Sequence, residues 1–380
     1  MAQAVEPQGG QLSTDTRCYI LQLHGGLGAR IIQTGFVRTL LAQKEELPVV
    51  IIDEHSVGEM VATTTERVIS IKPAGAGFQY PLEPTLMQVG GVVEHPMFVE
   101  EWRTAAASYD EQEQFDLHKL VSNNWDRFYA VDYGTELTKL IHQRKFESNP
   151  KSFIGHLYGQ VCGLKWDDGL PFLTRATTSE EAQQFTKNLD KPLVVCHFGM
   201  DKNQSELTQA INYRVHKVWS LHRWAMLADK LKDRFTFVQL HAAPLNPQIP
   251  GFQSMHTQDL NVVLQLLEAS AFFLSTDNYL SHLAASIPRQ GIVLWGAVSP
   301  LVWGWPHNVN IWNKHSCPEI ACWRPGMFDQ SATGRTFLCP TYDCMKSIEV
   351  DQVIEAIDEL EGHKGATKKV RVGERVSLNG

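Results

Sequence analysis

The chain has 380 residues, and at roughly 150 residues per domain that length favours two or three domains over a single small module. Its 43% hydrophobic and 20% charged content is that of a globular protein, which excludes disordered, collagenous and membrane-embedded classes. Lys plus Arg total 34 against 42 for Asp plus Glu, a net charge of −8, so the basic footprint of a nucleic-acid binder is missing and no nucleic-acid partner is expected.

The opening MAQAVEPQGGQLSTD has neither a basic n-region nor an apolar h-region. No secretory signal is read, and the cytoplasm is the expected compartment. Residues 1–16 and 363–380 lack apolar periodicity and are expected to be flexible ends. The run CYILQL at 18–23 predicts a strand, His24, Gly25, Gly26, Leu27 and Gly28 a glycine turn, and IIQTGFVRTLLAQ at 31–43 a helix. The next strand, PVVIIDE at 48–54, follows at the interval of a βαβ unit. Between 55 and 150 only RFYAVDYG at 127–134 reads as another strand.

The second half is more regular. Strand-like runs occur at 193–199, 235–243, 271–277 and 291–297, with helical patterns at 220–233, 259–270 and 279–286 between them. Strands alternating with helices predict a parallel sheet covered on both faces. The expected organisation is an N-terminal Rossmann-like domain at 17–178 and a C-terminal Rossmann-like domain at 179–345, the boundary falling in the polar stretch near 170–190. A closing helix at 346–362 follows. The stretch 290–313 contains no Asp, Glu, Lys or Arg, but Gly291, Gly296, Pro300, Gly304 and Pro306 divide it into a short strand and a Trp-rich loop. It predicts no membrane span, and at most peripheral membrane contact is expected. Within it, Trp295, Trp303 and Trp305 read equally as stacking platforms and as packing tryptophans.

Ligands of open α/β sheets collect beyond the carboxyl ends of the strands. Two segments there carry candidate chemistry. Gly25, Gly26 and Gly28 let backbone approach a ligand, although a turn without any ligand has the same composition. Ser275-Thr276-Asp277-Asn278-Tyr279-Leu280-Ser281-His282 passes from strand to helix, which would aim N–H groups and the positive helix end at a diphosphate. The plainer alternative makes Asp277 an N-cap and His282 a partly buried helix residue. Lys217, just before a helix, is placed to neutralise a phosphate, though a lone lysine is usually solvated surface charge.

Together these segments resemble glycosyltransferase family 9, the ADP-heptose heptosyltransferases. STDNYLSHLAASIPRQGIVLWGAVSP is similar to the family's Asp-Ser/Thr-Gly-x-x-His-Leu-Ala-Ala segment, HKVWSLHRWAMLADKL to its Lys-x-Trp helix start, and CPTYDCMKSIEVDQVIEAI to its ending. The resemblance spans 18–362, most specifically in the second half. It implies the GT-B fold: two Rossmann-like domains with parallel sheets facing an interdomain cleft. It also implies an inverting glycosyltransferase without a catalytic metal, the donor held by Lys217, Asp277, Asn278, Tyr279, Ser281 and His282. Two positions depart from the pattern. Asn278 stands where the family has glycine, and Ala29 stands where it has the Asp that serves as base. Either another group is the base, with Asp132 first and His24 and Glu136 also in range, or the enzyme is impaired.

Cys317-x4-Cys322 and Cys339-x4-Cys344 form two pairs that could enclose a structural iron or zinc, or remain thiols. A subgroup of the family that glycosylates autotransporter proteins has a four-cysteine iron-binding finger. Cys18, Cys162 and Cys196 read as ordinary buried thiols. The resemblance implies transfer of a sugar, heptose from ADP-heptose, to a lipopolysaccharide core sugar or to a Ser/Thr hydroxyl of a bacterial surface protein. The competing reading is a catalytically silent nucleotide-sugar-binding or scaffold protein of the same fold, which Ala29 favours. A Rossmann dehydrogenase is disfavoured by the absence of G-x-G-x-x-G and of an acidic ribose ligand about twenty residues beyond it.

Overall fold

The computed structural model of the chain describes residues 12–23, 26–43, 47–53, 56–72, 117–124, 127–130, 170–199, 217–241, 249–287, 289–296, 298–313, 315–316, 328–329, 336–337 and 343–362. These residues fall into two compact units, the first ending at Ala176 and the second beginning at Thr177.

The first unit contains β1 (Tyr19–Gln22), α1 (Leu27–Gln43), β2 (Val49–Ile52), α2 (Val57–Ala62), β3 (Val68–Ile71), α3 (Leu117–Asn123) and β4 (Phe128–Ala130). The four strands are parallel in the order β3-β2-β1-β4. β2 is the continuous apolar run VVII, fully buried, as a strand covered on both faces requires. Helix α1 is buried without interruption from Arg30 to Val37, and its Thr34 hydroxyl receives the Phe172 N–H at 2.8 Å. Asn124, wholly buried, accepts from the Cys18 N–H and donates to the carbonyls of Thr16 and Leu120, each at 2.9 Å. One amide thereby ties the entry of β1 to the end of α3.

The second unit runs α4 (Glu180–Lys187), β5 (Leu193–His197), α5 (Leu221–Leu231), β6 (Thr236–His241), β7 (Phe252–His256), α6 (Leu260–Ala269), β8 (Phe272–Thr276), α7 (Tyr279–Ala284), β9 (Gly291–Leu294), α8 (Pro300–Trp303) and β10 (Val309–Ile311). The short β11 (Phe328–Asp329) and β12 (Thr336–Phe337) pair antiparallel, and α9 (Asp343–Lys346) and α10 (Val350–Gly362) end the described chain. Six strands form a parallel sheet in the order β10-β9-β8-β5-β6-β7. The direction of winding reverses between β5 and β8, so the switch point of this sheet lies at the carboxyl ends of those two strands.

The expected strands all occur among the described residues. Five more, β3, β7, β10, β11 and β12, were not expected: they are short, and β7 buries only Phe252 and Met255, so none forms a long apolar run. The polar stretch read as a domain boundary contains α4, capped by Ser179, whose hydroxyl accepts from the Ala182 N–H. Buried Asn261 and Gln265 of α6 accept the N–H groups of Thr177 and Ser179 and hold that segment in place. The Trp-rich stretch expected as loop contains α8 and the sixth strand, β10. Among the described residues no helix is long and apolar enough to cross a membrane.

Helix α10 buries Val350, Val353, Ala356, Ile357 and Leu360 in the cluster formed by α5 and the sheet. Exposed ion pairs from Arg223, Lys230 and Arg234 of the α5 region to Glu349, Asp351, Asp358 and Glu361 line its edge. Exposed pairs of this kind contribute at most about 1 kcal/mol each, so the apolar face holds the helix.

Candidate functional site

At the switch point of the second sheet, β5 ends in His197 and β8 ends in Thr276, both buried. Asp277 follows β8 with its side chain 7% exposed, and Lys217 brings Nζ to 2.6 Å from its Oδ2. The contact is an ion pair without hydrogen-bond alignment, since Oδ2 has no hydrogen-bond partner among the described residues. Lys217 is set in place by its neighbour Trp219, wholly buried, which donates its indole N–H to the Ile348 carbonyl at 2.8 Å. Gly199 closes the arrangement at φ +79°, a conformation open to glycine. A Cβ there would meet Thr276 Oγ1 at 2.5 Å and the Lys217 carbonyl oxygen at 3.0 Å. The ends of β5 and β8 and the segment entering α5 thus meet at one glycine.

Asn278, not Asp277, is the N-cap of α7. Its Oδ1 accepts from the Leu280 N–H at 2.9 Å, and its backbone is extended at φ −158°, so no glycine is required there. Its Nδ2 reaches the His197 carbonyl at 3.4 Å. Ser281 is buried and donates its hydroxyl to the Asn278 carbonyl at 2.9 Å, which commits that proton to the helix. Tyr279 packs edge-on against the His197 ring at 5.0 Å, and the Gly199 N–H donates to His197 Nδ1 at 3.1 Å.

His282, one turn along α7, is 5% exposed. The Trp305 indole N–H donates to its Nδ1 at 3.0 Å. Burial pushes the pKa of His282 down to about 4, Asp277 partly offsets that shift, and Lys217 adds to it. Trp295 is also buried and donates its N–H to Asn310 Oδ1 at 2.7 Å. Trp295 and Trp305 therefore pack inside the protein, and neither offers a face on which a ring could stack.

In the first unit α1 starts at Leu27, so Gly28 and Ala29 belong to the helix and only Gly26 remains from the described part of the turn. A Cβ on Gly26 would meet nothing within 4 Å. The next residue after Ala29 carries an interaction that the pattern did not reveal. Buried Arg30 pairs with buried Asp53 at the end of β2 at 2.6 Å, and Asp53 Oδ2 also accepts the Gly58 N–H at 3.1 Å. His24, Gly25, Asp132, Glu136, Cys162, Cys317, Cys322 and Cys339 lie outside the described residues. Cys344 is buried in α9, and among the described residues no group of three or more His, Cys, Asp or Glu is placed to hold a metal. Burial pushes the Cys18 thiol up to about 12, against the lowering effect of Arg127, and raises Cys196 well above its ordinary range. Both are protonated, unreactive thiols.

No protein-family model and no curated protein matches this sequence. Solved structures do match the fold. ADP-heptose lps heptosyltransferase II of E. coli aligns over 92% of this chain and 100% of its own at 14% identity, with a TM-score of 0.53. A glycosyl transferase family 9 protein of Veillonella parvula aligns over 93% and 99% at 13% identity, with a TM-score of 0.57. The chain has the fold of the family 9 glycosyltransferases. The iron-containing heptosyltransferase TibC, a dodecamer solved with ADP-D-beta-D-heptose, shares that heptosyltransferase fold over 95% of this chain and 81% of its own, at 14% identity and a TM-score of 0.56. The GT-B class expected from the resemblance is the fold observed, with its two separate parallel sheets.

Sequence reasoning singled out Lys217, Asp277, Asn278, Tyr279, Ser281 and His282, and the structure gathers them around the end of β8. It missed Gly199 and the bond from Trp305. A glycine directly after an apolar strand signals the first; the second joins residues far apart in the chain and leaves no local mark.

Proposed function

We propose that the chain is a glycosyltransferase that holds a nucleoside diphosphate sugar at the carboxyl edge of its second sheet. The Lys217–Asp277 pair at the switch point carries the reading: a partly exposed ammonium, 32% accessible, steadied by a buried carboxylate where such sheets bind their ligands. In the reaction an acceptor hydroxyl attacks the anomeric carbon, the bond from that carbon to the diphosphate oxygen breaks, and the configuration inverts. The departing diphosphate gains negative charge, which Lys217 neutralises and to which His282 donates a hydrogen bond, without a catalytic metal. The hydroxyl proton goes to a base, for which Asp132 is the first candidate and His24 the second, since Ala29 cannot accept it.

The donor in this proposal is ADP-heptose, supported by the shared fold of the E. coli enzyme and of TibC. The acceptor is a lipopolysaccharide core sugar or a surface-protein Ser/Thr hydroxyl, met in the cytoplasm with at most peripheral membrane contact. A structural iron or zinc at Cys317, Cys322, Cys339 and Cys344 belongs to the same proposal; elemental analysis of the chain and of a Cys344→Ser variant tests it.

Thermal unfolding with ADP, UDP and GDP in turn tests the donor site, because a ligand at 100 times its Kd stabilises by about 2.7 kcal/mol. Selective stabilisation by ADP, followed by transfer from ADP-heptose, is the expected result. A UDP or GDP preference replaces the sugar, no response to any of the three overturns the site, and tight binding without turnover identifies a silent nucleotide-sugar-binding protein.

A further inference from the structure

An indole nitrogen is a donor only, so the acceptor of its N–H must offer a lone pair. Trp305 donates to His282 Nδ1 at 3.0 Å, the rings meeting edge to face at 78°. Nδ1 therefore carries no proton, and a neutral imidazole has its single N–H on Nε2. Protonating the ring would set two N–H groups against each other at a buried contact. No described residue is hydrogen-bonded to Nε2, and α7 holds the ring beside the charged pair of Lys217 and Asp277.

We infer that Trp305 is a positioning residue that fixes His282 as a neutral imidazole with its proton on Nε2, so that His282 serves the site as a hydrogen-bond donor and not as a cation. Division of labour follows within the cluster. Lys217 supplies the positive charge, Asp277 orients it, and His282 supplies a directed N–H. A second cation beside Lys217 would repel it; a neutral donor does not. Two charged groups act on the ring, Asp277 favouring a proton and Lys217 opposing one. The meeting of that N–H with a donor phosphate oxygen rests on the function proposed above; the tautomer does not.

The test uses the full chain labelled with nitrogen-15 histidine, the His282 signals being those lost in His282→Asn. At about pH 6 and about pH 8 the unmodified chain should show one neutral tautomer, protonated on Nε2. In Trp305→Phe, which removes the donor and keeps an apolar ring, that single state should give way to a mixture of tautomers or to imidazolium at the lower pH. A proton on Nδ1 in the unmodified chain overturns the inference, as does a folded Trp305→Phe whose His282 pattern is unchanged. Should Trp305→Phe fail to fold, the tautomer of the unmodified chain decides alone. ADP is then added to the unmodified chain: an Nε2-protonated His282 that does not respond to it supports the positioning role and removes the donor-site reading.

Discussion

Lys217 and Asp277 meet at 2.6 Å beside the point where the winding of the six-stranded sheet reverses. The pair is unequal: the carboxylate is almost wholly buried and the ammonium is about one-third exposed. A buried anion in that position holds the lysine side chain at the sheet edge, while the exposed side of the ammonium keeps donors for an incoming anion.

Lys217→Ala should therefore lower kcat/KM for the nucleotide sugar by about 100-fold or more, the range for losing a group that stabilises developing charge. His282→Ala should act in the same direction. Asp277 is left without its counter-charge in Lys217→Ala, so stability should fall by about 1 kcal/mol, a modest figure because the lysine is partly solvated. Steady-state release of nucleoside diphosphate and a melting curve measure the two effects. Full turnover in both variants would remove these residues from the donor site.

Much of this was legible in the chain because it is local. The strand-to-helix passage through Asp277 and the Lys-x-Trp helix start are short segments whose spacing shows in the sequence, and the parallel sheet follows from alternating apolar runs. The sequence leaves open whether Asp277 caps α7, because Asp and Asn both favour that position, and only the backbone chooses Asn278. The Arg30–Asp53 pair, the Trp305–His282 bond and the contact of Gly199 with Thr276 each join residues far apart in the chain, and sequence periodicity holds no information about which of them meet.

Gly199 is the most constrained of these. Gly199→Ala faces a left-handed φ of +79° and a Cβ placed 2.5 Å from Thr276 Oγ1. Backbone strain of about 1 kcal/mol or more adds to overpacking of about 1–3 kcal/mol, so a loss of about 2–4 kcal/mol is expected. Thr276→Ala removes the clash but leaves φ unchanged. In urea unfolding the double variant should recover part of the loss relative to Thr276→Ala alone. Simple additivity would show that the two residues do not press on each other.

Arg30 and Asp53 form a buried pair in the first unit, their side chains 7% and 0% exposed. Removing one partner leaves an uncompensated charge, and such changes cost about 3–5 kcal/mol. Arg30→Met should be destabilising on that scale. Arg30→Met combined with Asp53→Asn, which keeps an acceptor for the Gly58 N–H, should be less so. Equilibrium denaturation of the two variants makes the comparison, and a double variant less stable than Arg30→Met would show that the unpaired carboxylate is not the source of the loss.

His282 and His307 give the protein an acid limit. Burial lowers both to about 4 from an ordinary 6.5; at His307 that is the whole cause, and its Nε2 has no hydrogen-bond partner among the described residues. Between these values the unfolded chain binds a proton that the folded chain refuses, so acid favours unfolding. The stability tied to each ring is intact above about pH 6.5 and is lost as pH falls toward 4, about 2 kcal/mol per ring by pH 5. His307→Gln cannot titrate, and its loss of stability between about pH 7 and pH 5 should be smaller than that of the unmodified chain by about that amount. Urea midpoints at the two pH values give the comparison. Equal losses in the two proteins would mean that His307 titrates alike in the folded and unfolded chains and that its burial does not limit stability in acid.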